Sequence, residues 1–249
     1  METLTSRKNA YIRHVRALAT DGAYRRAQGE YLCDGLKTLR EALRFGAEVR
    51  SVLWKEQSEA VDGLCCEAQY CAPAELFDYA SPMANSPGPL FCAAIPEQSV
   101  LPKLHRAIVL ENVQDPGNVG TVLRTANAFG IDAVILVGAC ADLYQPKTVR
   151  ATMGAVFRQR VLTMDLDELS VLLEVQGLPL YGAALSERAR DIRSLSLDGA
   201  AIAVGSEGNG LSPALLARCK ETVIIPMRPE SESLNAAVAA SVLMWEMTR

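Results

Sequence analysis

The chain has 249 residues, 49% of them hydrophobic and 22% charged, with a formal net charge of −4 at pH 7. At about 100 to 200 residues per domain this length favours two domains, and the apolar content excludes a disordered chain. The acidic balance excludes a protein coated in positive potential. No apolar run has the length of a membrane helix or the layout of a signal peptide, so a cytoplasmic protein with no membrane partner is expected.

Residues 9–28 are expected to be helical, and residues 7–26 carry Arg7, Lys8, Arg13, Arg16, Arg25 and Arg26 against one acid, Asp21. Such an arm either neutralises phosphates or forms the solvated face of a helix, and charge alone does not separate the two. Tyr31–Cys33 reads as a strand. Leu36, Leu39, Ala42 and Leu43 then form a helical-period stripe stopped by Gly46, ahead of a second strand in AEVRSVLW. A further strand and helix are expected around 63–79. SPMANSPGPL, with three prolines, precedes a short strand over Leu90–Ile95. PEQSVLPKLH has two prolines and no periodicity, which places a first domain at 1–97, a linker at 98–105 and a second domain at 106–249.

The second domain alternates apolar strands with helical patterns, the signature of an α/β fold on a parallel sheet. Strands are expected at 107–110, 133–137, 160–163, 180–184, 201–204 and 222–225, and helices at 118–129, 147–155, 166–175, 212–218 and 233–247. The seven cysteines (33, 65, 66, 71, 92, 140 and 219) are odd in number, and only Cys65, Cys66 and Cys71 lie close together. No second cysteine pair or nearby histidine completes a four-ligand set, so reduced thiols and no metal are expected. His14 and His105 sit in no motif suited to a catalytic base, which argues against a Ser-His-Asp hydrolase.

Three stretches carry chemistry. In LENVQDPGNVGTVLRTANAFG (110–130) a strand ends at Asn112 and a Pro-Gly turn leads into a helix with Asn118 at its start and Arg124 further in. A guanidinium there offers a planar fork to a phosphate or ribose oxygen, or serves as a surface ion-pair residue. In IAVGSEGNGLS (202–212) small residues after a strand let backbone approach a ligand, and Glu207 either accepts a hydrogen bond from it or caps the turn. Its glycines run GxxGxG and not GxGxxG, which excludes the dinucleotide fingerprint of an oxidoreductase. In IIPMRPESESLNAAVAASVLMWE (224–246) Ser233 is placed to cap an alanine-rich helix, with Asn235 in its first turn near the positive end of the helix dipole.

In this order, NVGTVLRTANAFG, GSEGNGLS and IPM followed by SLNAAVAASVLMWE closely resemble the three motifs of the SpoU branch of the SPOUT methyltransferases, the TrmH-like RNA 2'-O-ribose methyltransferases. The resemblance covers roughly 106–247. RRAQGEYLCDGLKTLREALRFGAEVRSVLW also resembles the family's N-terminal substrate-binding module, a small α/β domain similar to ribosomal protein L30e, although Cys33-Asp34-Gly35 stands where an acidic Val-Glu-Gly is usual.

The resemblance implies a trefoil knot in the C-terminal domain, S-adenosylmethionine held by loops containing Leu185, Gly205, Ile225, Met227 and Leu234, and a homodimer with the active site at the subunit interface. It implies catalytic roles for Arg124, Asn118, Ser233, Asn235 and Glu207, acting on RNA and not DNA. The domain architecture tilts toward 23S rRNA over tRNA. A non-catalytic RNA-binding protein of the same fold is the alternative, and it predicts damage to the cofactor loops. In-line methyl transfer needs positioning and a route for the hydroxyl proton but no metal. A guanidinium is protonated under all ordinary conditions, so Arg124 is expected to orient the ribose-phosphate and stabilise a developing alkoxide more than to act as a base.

Overall fold

The structure is a computed structural model that describes residues 1–97, 101–186, 188–228 and 233–249. The chain forms two compact units, residues 1–99 with 142–157, and residues 100–141 with 158–249. Residues 98–100 of the expected linker lie outside the described residues.

The first unit opens with β1 (Glu2–Thr3), α1 (Ala10–Thr20) and α2 (Gly22–Gln28), where one helix over 9–28 is expected. Asp21 divides them: its backbone is extended (φ −120°, ψ 108°), its N–H closes α1 on the Ala17 carbonyl, and its side chain accepts the Tyr24 N–H as the cap of α2. Aspartate favours a cap over a helix interior because its side chain competes for backbone donors. Next come β2 (Glu30–Asp34), α3 (Leu36–Arg44), β3 (Val49–Lys55), β4 (Ala68–Ala72), α4 (Ala74–Ala80) and β5 (Leu90–Ala94). The sheet runs β1-β4-β3-β5-β2, parallel at its first two pairings and antiparallel at its last two. One buried cluster joins Ile12, Val15 and Leu18 of α1 to Leu32, Leu53 and Leu90, and a second joins Leu39 of α3 to Tyr31, Val52, Trp54 and Phe91. Alternate strand residues thus feed two layers, as the period-2 side-chain direction requires.

The second unit contributes β6 (Ala107–Glu111), α5 (Pro116–Phe129) and β7 (Ala133–Val137). The following segment, with α6 (Pro146–Ala151) and a 3-10 turn at Ala155–Phe157, belongs to the first unit, where Val149 and Val156 join the Tyr31–Trp54 cluster. Apolar periodicity marks such residues for burial without naming the core that receives them, so the sequence assigns this segment to the second domain. The chain continues with β8 (Val161–Met164), α7 (Leu166–Gln176), β9 (Leu180–Ala183), β10 (Arg190–Asp191), β11 (Ala201–Val204), α8 (Pro213–Leu216), β12 (Glu221–Ile224) and α9 (Ala236–Met247). Two-residue β10 is too short to leave a periodic signal.

All pairings in the second sheet are parallel, in the order β10-β12-β9-β11-β6-β7-β8. Its central strands β6, β7 and β11 are buried along their whole length, which explains their continuous apolar sequences. From β6 the chain steps outward through β7 to β8, then crosses to β9 on the other side, and β11 fills the place between β9 and β6. The carboxyl ends of β6 and β11 therefore flank the point where the winding reverses, the usual place for a crevice in a parallel sheet.

Candidate active site

Two helix starts differ from expectation, and both differences bear on the site. The expected Pro-Gly turn is already helix: Asp115 caps α5, Pro116 takes the first helical position, and the Asp115 carboxyl accepts the Asn118 N–H at 2.9 Å. Proline suits that position because its missing N–H has no partner to lose there. Asn118 is therefore the third helical residue. Likewise Ser233 is not the cap of the last helix. Asn235 is the cap, with φ −53° and ψ 141°, and its Oδ1 accepts the N–H groups of Ala237 and Val238 at 3.0 and 3.2 Å. Asn ranks among the strongest capping residues, so the first apolar turn starts after it and not after Ser233.

Capping fixes the orientation of the Asn235 amide: its oxygen is held by backbone donors, which leaves its nitrogen facing outward. That nitrogen donates to Asn118 Oδ1 at 3.0 Å and to Glu207 Oε1 at 2.5 Å. Asn118 Nδ2 donates to the same Glu207 oxygen at 3.0 Å, and the Ala236 N–H reaches it at 3.4 Å. One carboxyl oxygen thus gathers a residue from each of the three stretches, at the N-terminus of the twelve-residue α9, where the helix dipole favours negative charge. Glu207 belongs to a tight reversal in which the Gly210 N–H donates to the Ser206 carbonyl at 2.9 Å. A Cβ on Gly205 would lie 2.1 Å from the backbone C and O of Gly210, so only glycine permits this reversal.

Arg124 and Ser233 do not join the cluster. Arg124 is exposed on α5, and among the described residues it makes no ion pair or side-chain hydrogen bond. Ser233 is exposed just before the cap. The residues expected at a cofactor gather at strand ends: Gly205 directly follows β11, Leu185 follows β9 by two residues, and Ile225 and Met227 follow β12. Since β12, β9 and β11 are parallel neighbours, these ends share one edge of the sheet. Leu185 is 62% exposed, and Ile225, Met227 and Leu234 are part-exposed. Unburied apolar side chains beside a reversal whose Gly205, Gly208 and Gly210 carry no Cβ fit the adenosine part of S-adenosylmethionine and the carbon substituents of its sulfonium.

Sequence reasoning missed Glu111, a buried residue closing β6, whose carboxyl group accepts both donors of Ser212. Its one signal was an acid ending an otherwise apolar strand. Among the thiols of this unit, burial raises Cys140 and pushes Cys219 up to about 11, which disfavours their thiolate forms. All seven cysteines are free, and Cys65, Cys66 and Cys71 form no metal group among the described residues. His14, Glu30 and Cys92 do approach one another, but His14 lies between Tyr24 Oη and Glu30, and Glu30 also binds Arg50, so the cluster satisfies its own polar atoms.

The basic N-terminal arm is less cationic at the surface than its composition implies. Arg25 is buried, donating to the Leu18 carbonyl and the Asp142 carboxyl, both at 2.6 Å. Arg7 pairs with Glu75 and, with Arg16, lies against the Tyr79 ring. Lys8, Arg13 and Arg26 remain exposed.

Residues 105–245 match the model of the SpoU rRNA Methylase family. The 23S rRNA (guanosine(2553)-2'-O)-methyltransferase of Bacillus subtilis is 31% identical over 250 residues, covering 99% of both chains. The 23S rRNA (uridine(2479)-2'-O)-methyltransferase of Streptomyces viridochromogenes is 28% identical, covering 99% of this chain and 91% of its own. Among solved structures, the SpoU methyltransferase AviRb of Streptomyces viridochromogenes in complex with AdoMet superimposes with a TM-score of 0.88 at 26% identity, over 97% of this chain and 98% of that one. Motifs that fold into one cluster, on a sheet of the same architecture and in a sequence similar from end to end, place this chain in the SpoU rRNA methylase family.

Proposed function

We propose that the chain methylates a ribose 2'-hydroxyl of 23S rRNA with S-adenosylmethionine as the donor. The observation that carries this reading is the convergence of Asn118, Glu207 and Asn235 on one carboxyl oxygen beside the strand ends that bear Gly205, Leu185, Ile225 and Met227. Bound S-adenosylmethionine supplies an electrophilic methyl group on a sulfonium. The strand-end residues and Leu234 hold the cofactor, and the amides of Asn118 and Asn235, fixed by Glu207, shape the polar wall that meets the ribose. Arg124 would orient the ribose-phosphate and stabilise the negative charge that develops on the hydroxyl oxygen as it forms the O–C bond and the sulfonium C–S bond breaks, with S-adenosylhomocysteine as leaving group and the hydroxyl proton passing to solvent water; Ser233 lies at the same helix start to receive or pass a hydrogen bond.

An exposed Arg124 with no side-chain partner among the described residues fits an active site completed between two copies of the chain. Val238, Val242 and Trp245 leave an apolar stripe on α9, 49%, 36% and 56% exposed, at the spacing of one helix face, which supports the homodimer. A trefoil knot belongs to the same reading and is supported by the late insertion of β11 between β6 and β9. The first unit serves as an L30e-like RNA-binding module, with Lys8, Arg13 and Arg26 free to meet phosphates. A cytoplasmic location suits that substrate, and no helix among the described residues is long and apolar enough to cross a membrane.

The Asn118–Glu207–Asn235 cluster weighs against the non-catalytic alternative. The test is to delete the gene, map 2'-O-methyl sites across cellular RNA, and restore the lost site with purified protein and S-adenosylmethionine. Loss of one site in 23S rRNA is expected. Loss of a tRNA site would replace the substrate, and no loss, together with no calorimetric binding of S-adenosylmethionine, would overturn the enzymatic reading.

A further inference from the structure

Glu111 ends β6, the strand at which the winding of the second sheet reverses, and it is 3% exposed. A carboxyl group buried to that degree is costly unless its oxygens are occupied. Both are occupied by one residue: the Ser212 N–H donates to Oε2 at 2.7 Å and the Ser212 hydroxyl donates to Oε1 at 2.6 Å. The Ser212 oxygen in turn accepts the Leu215 N–H at 3.1 Å as the cap of α8.

Ser212 closes the segment that begins where β11 ends, and Glu207 lies between these two anchors. At the near end the segment is fixed by β11, which is hydrogen-bonded to β6 itself. At the far end no strand pairing among the described residues fixes it; the Glu111 carboxyl does, beside the buried Leu211 and Leu215. Between them, Gly205 packs on Gly210 and the Gly210 N–H bonds to the Ser206 carbonyl, which ties the two ends of the reversal together. A shift of Ser212 is therefore transmitted to Glu207, and from Glu207 to the amides of Asn118 and Asn235.

We propose that Glu111 is a positioning residue for methyl transfer: by clamping Ser212 it sets where the segment 205–211 presents Glu207. This rests on the reading of the cluster as the active site. Glu111 touches neither the cofactor nor the RNA in this proposal; it acts through Ser212.

The experiment uses the full chain and four variants: Glu111→Ala, Glu111→Gln, Ser212→Ala and the Glu111→Ala/Ser212→Ala double variant. Single-turnover methylation, KM for RNA, thermal midpoint and hydrogen exchange at the Gly210 amide are measured well below each midpoint. Glu111→Ala and Ser212→Ala are each expected to slow methylation at least tenfold with KM for RNA unchanged and to speed exchange at Gly210. The double variant should be no slower than the slower single one, since both break one clamp. Glu111→Gln should recover the rate to within threefold, because its carbonyl still accepts the Ser212 N–H and its amide donates to the hydroxyl oxygen. Rates within twofold of wild type alongside a lowered midpoint would overturn the proposal in favour of a purely structural pair, as would effects that multiply in the double variant. If Glu111→Ala does not fold, Ser212→Ala against Glu111→Gln decides by the same criteria. The exchange readout does not depend on activity: a clamped Gly210 amide in an inactive wild-type chain would point to failure of the enzymatic reading, whereas an amide indifferent to Glu111 would point to failure of this one.

Discussion

Asn235 carries two separable loads, and replacing it tests both. Its oxygen caps α9 through two backbone N–H groups, and its nitrogen ties Glu207 to Asn118. Loss of a good cap costs about 1 kcal/mol, and loss of two hydrogen bonds at an exposed position about another 1 kcal/mol. Asn235→Ala should then destabilise the protein by about 2 kcal/mol and lower the thermal midpoint by roughly 4–8 °C for a chain of this size. Asn235→Asp separates the loads. A carboxylate still caps the helix and suits its dipole, but it replaces the donor facing Glu207 with a second negative charge. Its midpoint should stay within a few degrees of wild type, by about 2–4 °C for each kcal/mol, while single-turnover methylation falls at least tenfold. Calorimetric unfolding with rapid-quench methylation at saturating cofactor reads both quantities. Wild-type methylation in Asn235→Asp would refute the placement of Asn235 in the site, and an unchanged midpoint in Asn235→Ala would refute the cap.

Four further outcomes are expected. Arg124→Ala should leave stability within about 0.5 kcal/mol, since the side chain is exposed and unpaired among the described residues, yet abolish single-turnover methylation; methylation near the wild-type rate would remove Arg124 from the mechanism. Gly205→Ala places a methyl group where a backbone carbonyl stands, so loss of about 2–4 kcal/mol and at least tenfold weaker calorimetric binding of S-adenosylmethionine are expected; tight binding would show that the reversal is not needed. Burial holds the Asp34 carboxyl above the usual aspartate range, against the opposing Ser86 hydroxyl and Arg150, so its ionisation costs the folded state more than the unfolded one. That contribution favours folding below about pH 4 and is lost as the pH rises through the folded value, so the stability gained by Asp34→Asn should be larger at pH 7 than at pH 4; a gain independent of pH in urea titrations would contradict it. Ellman's reagent at pH 8 should label exposed Cys65 first and reach Cys33, Cys71 and Cys92 only on unfolding, because they are buried and burial pushes Cys92 up to about 11; rapid labelling of all seven would refute that burial.

The strands of the second unit and the three stretches bearing Asn118, Glu207 and Asn235 were legible in the sequence because they rest on local rules: apolar runs for strands buried on both faces, and polar residues where strands end. The starts of α5 and α9 were placed two or three residues off because Pro116-Gly117 reads as a turn although proline also suits a first helical position, and because Ser233 competes with Asn235 for the capping role, which backbone angles and not residue type decide. Tertiary structure alone decided where segment 142–157 is buried, that Arg25 of the basic arm is paired inside the fold, and that Ser212 meets Glu111 across 101 residues of chain. The physical reason is common to all three. Sequence periodicity determines which side chains must leave water, whereas the partner that receives each one is chosen by the order of strands in a sheet, and that order is set by contacts between residues far apart in the chain.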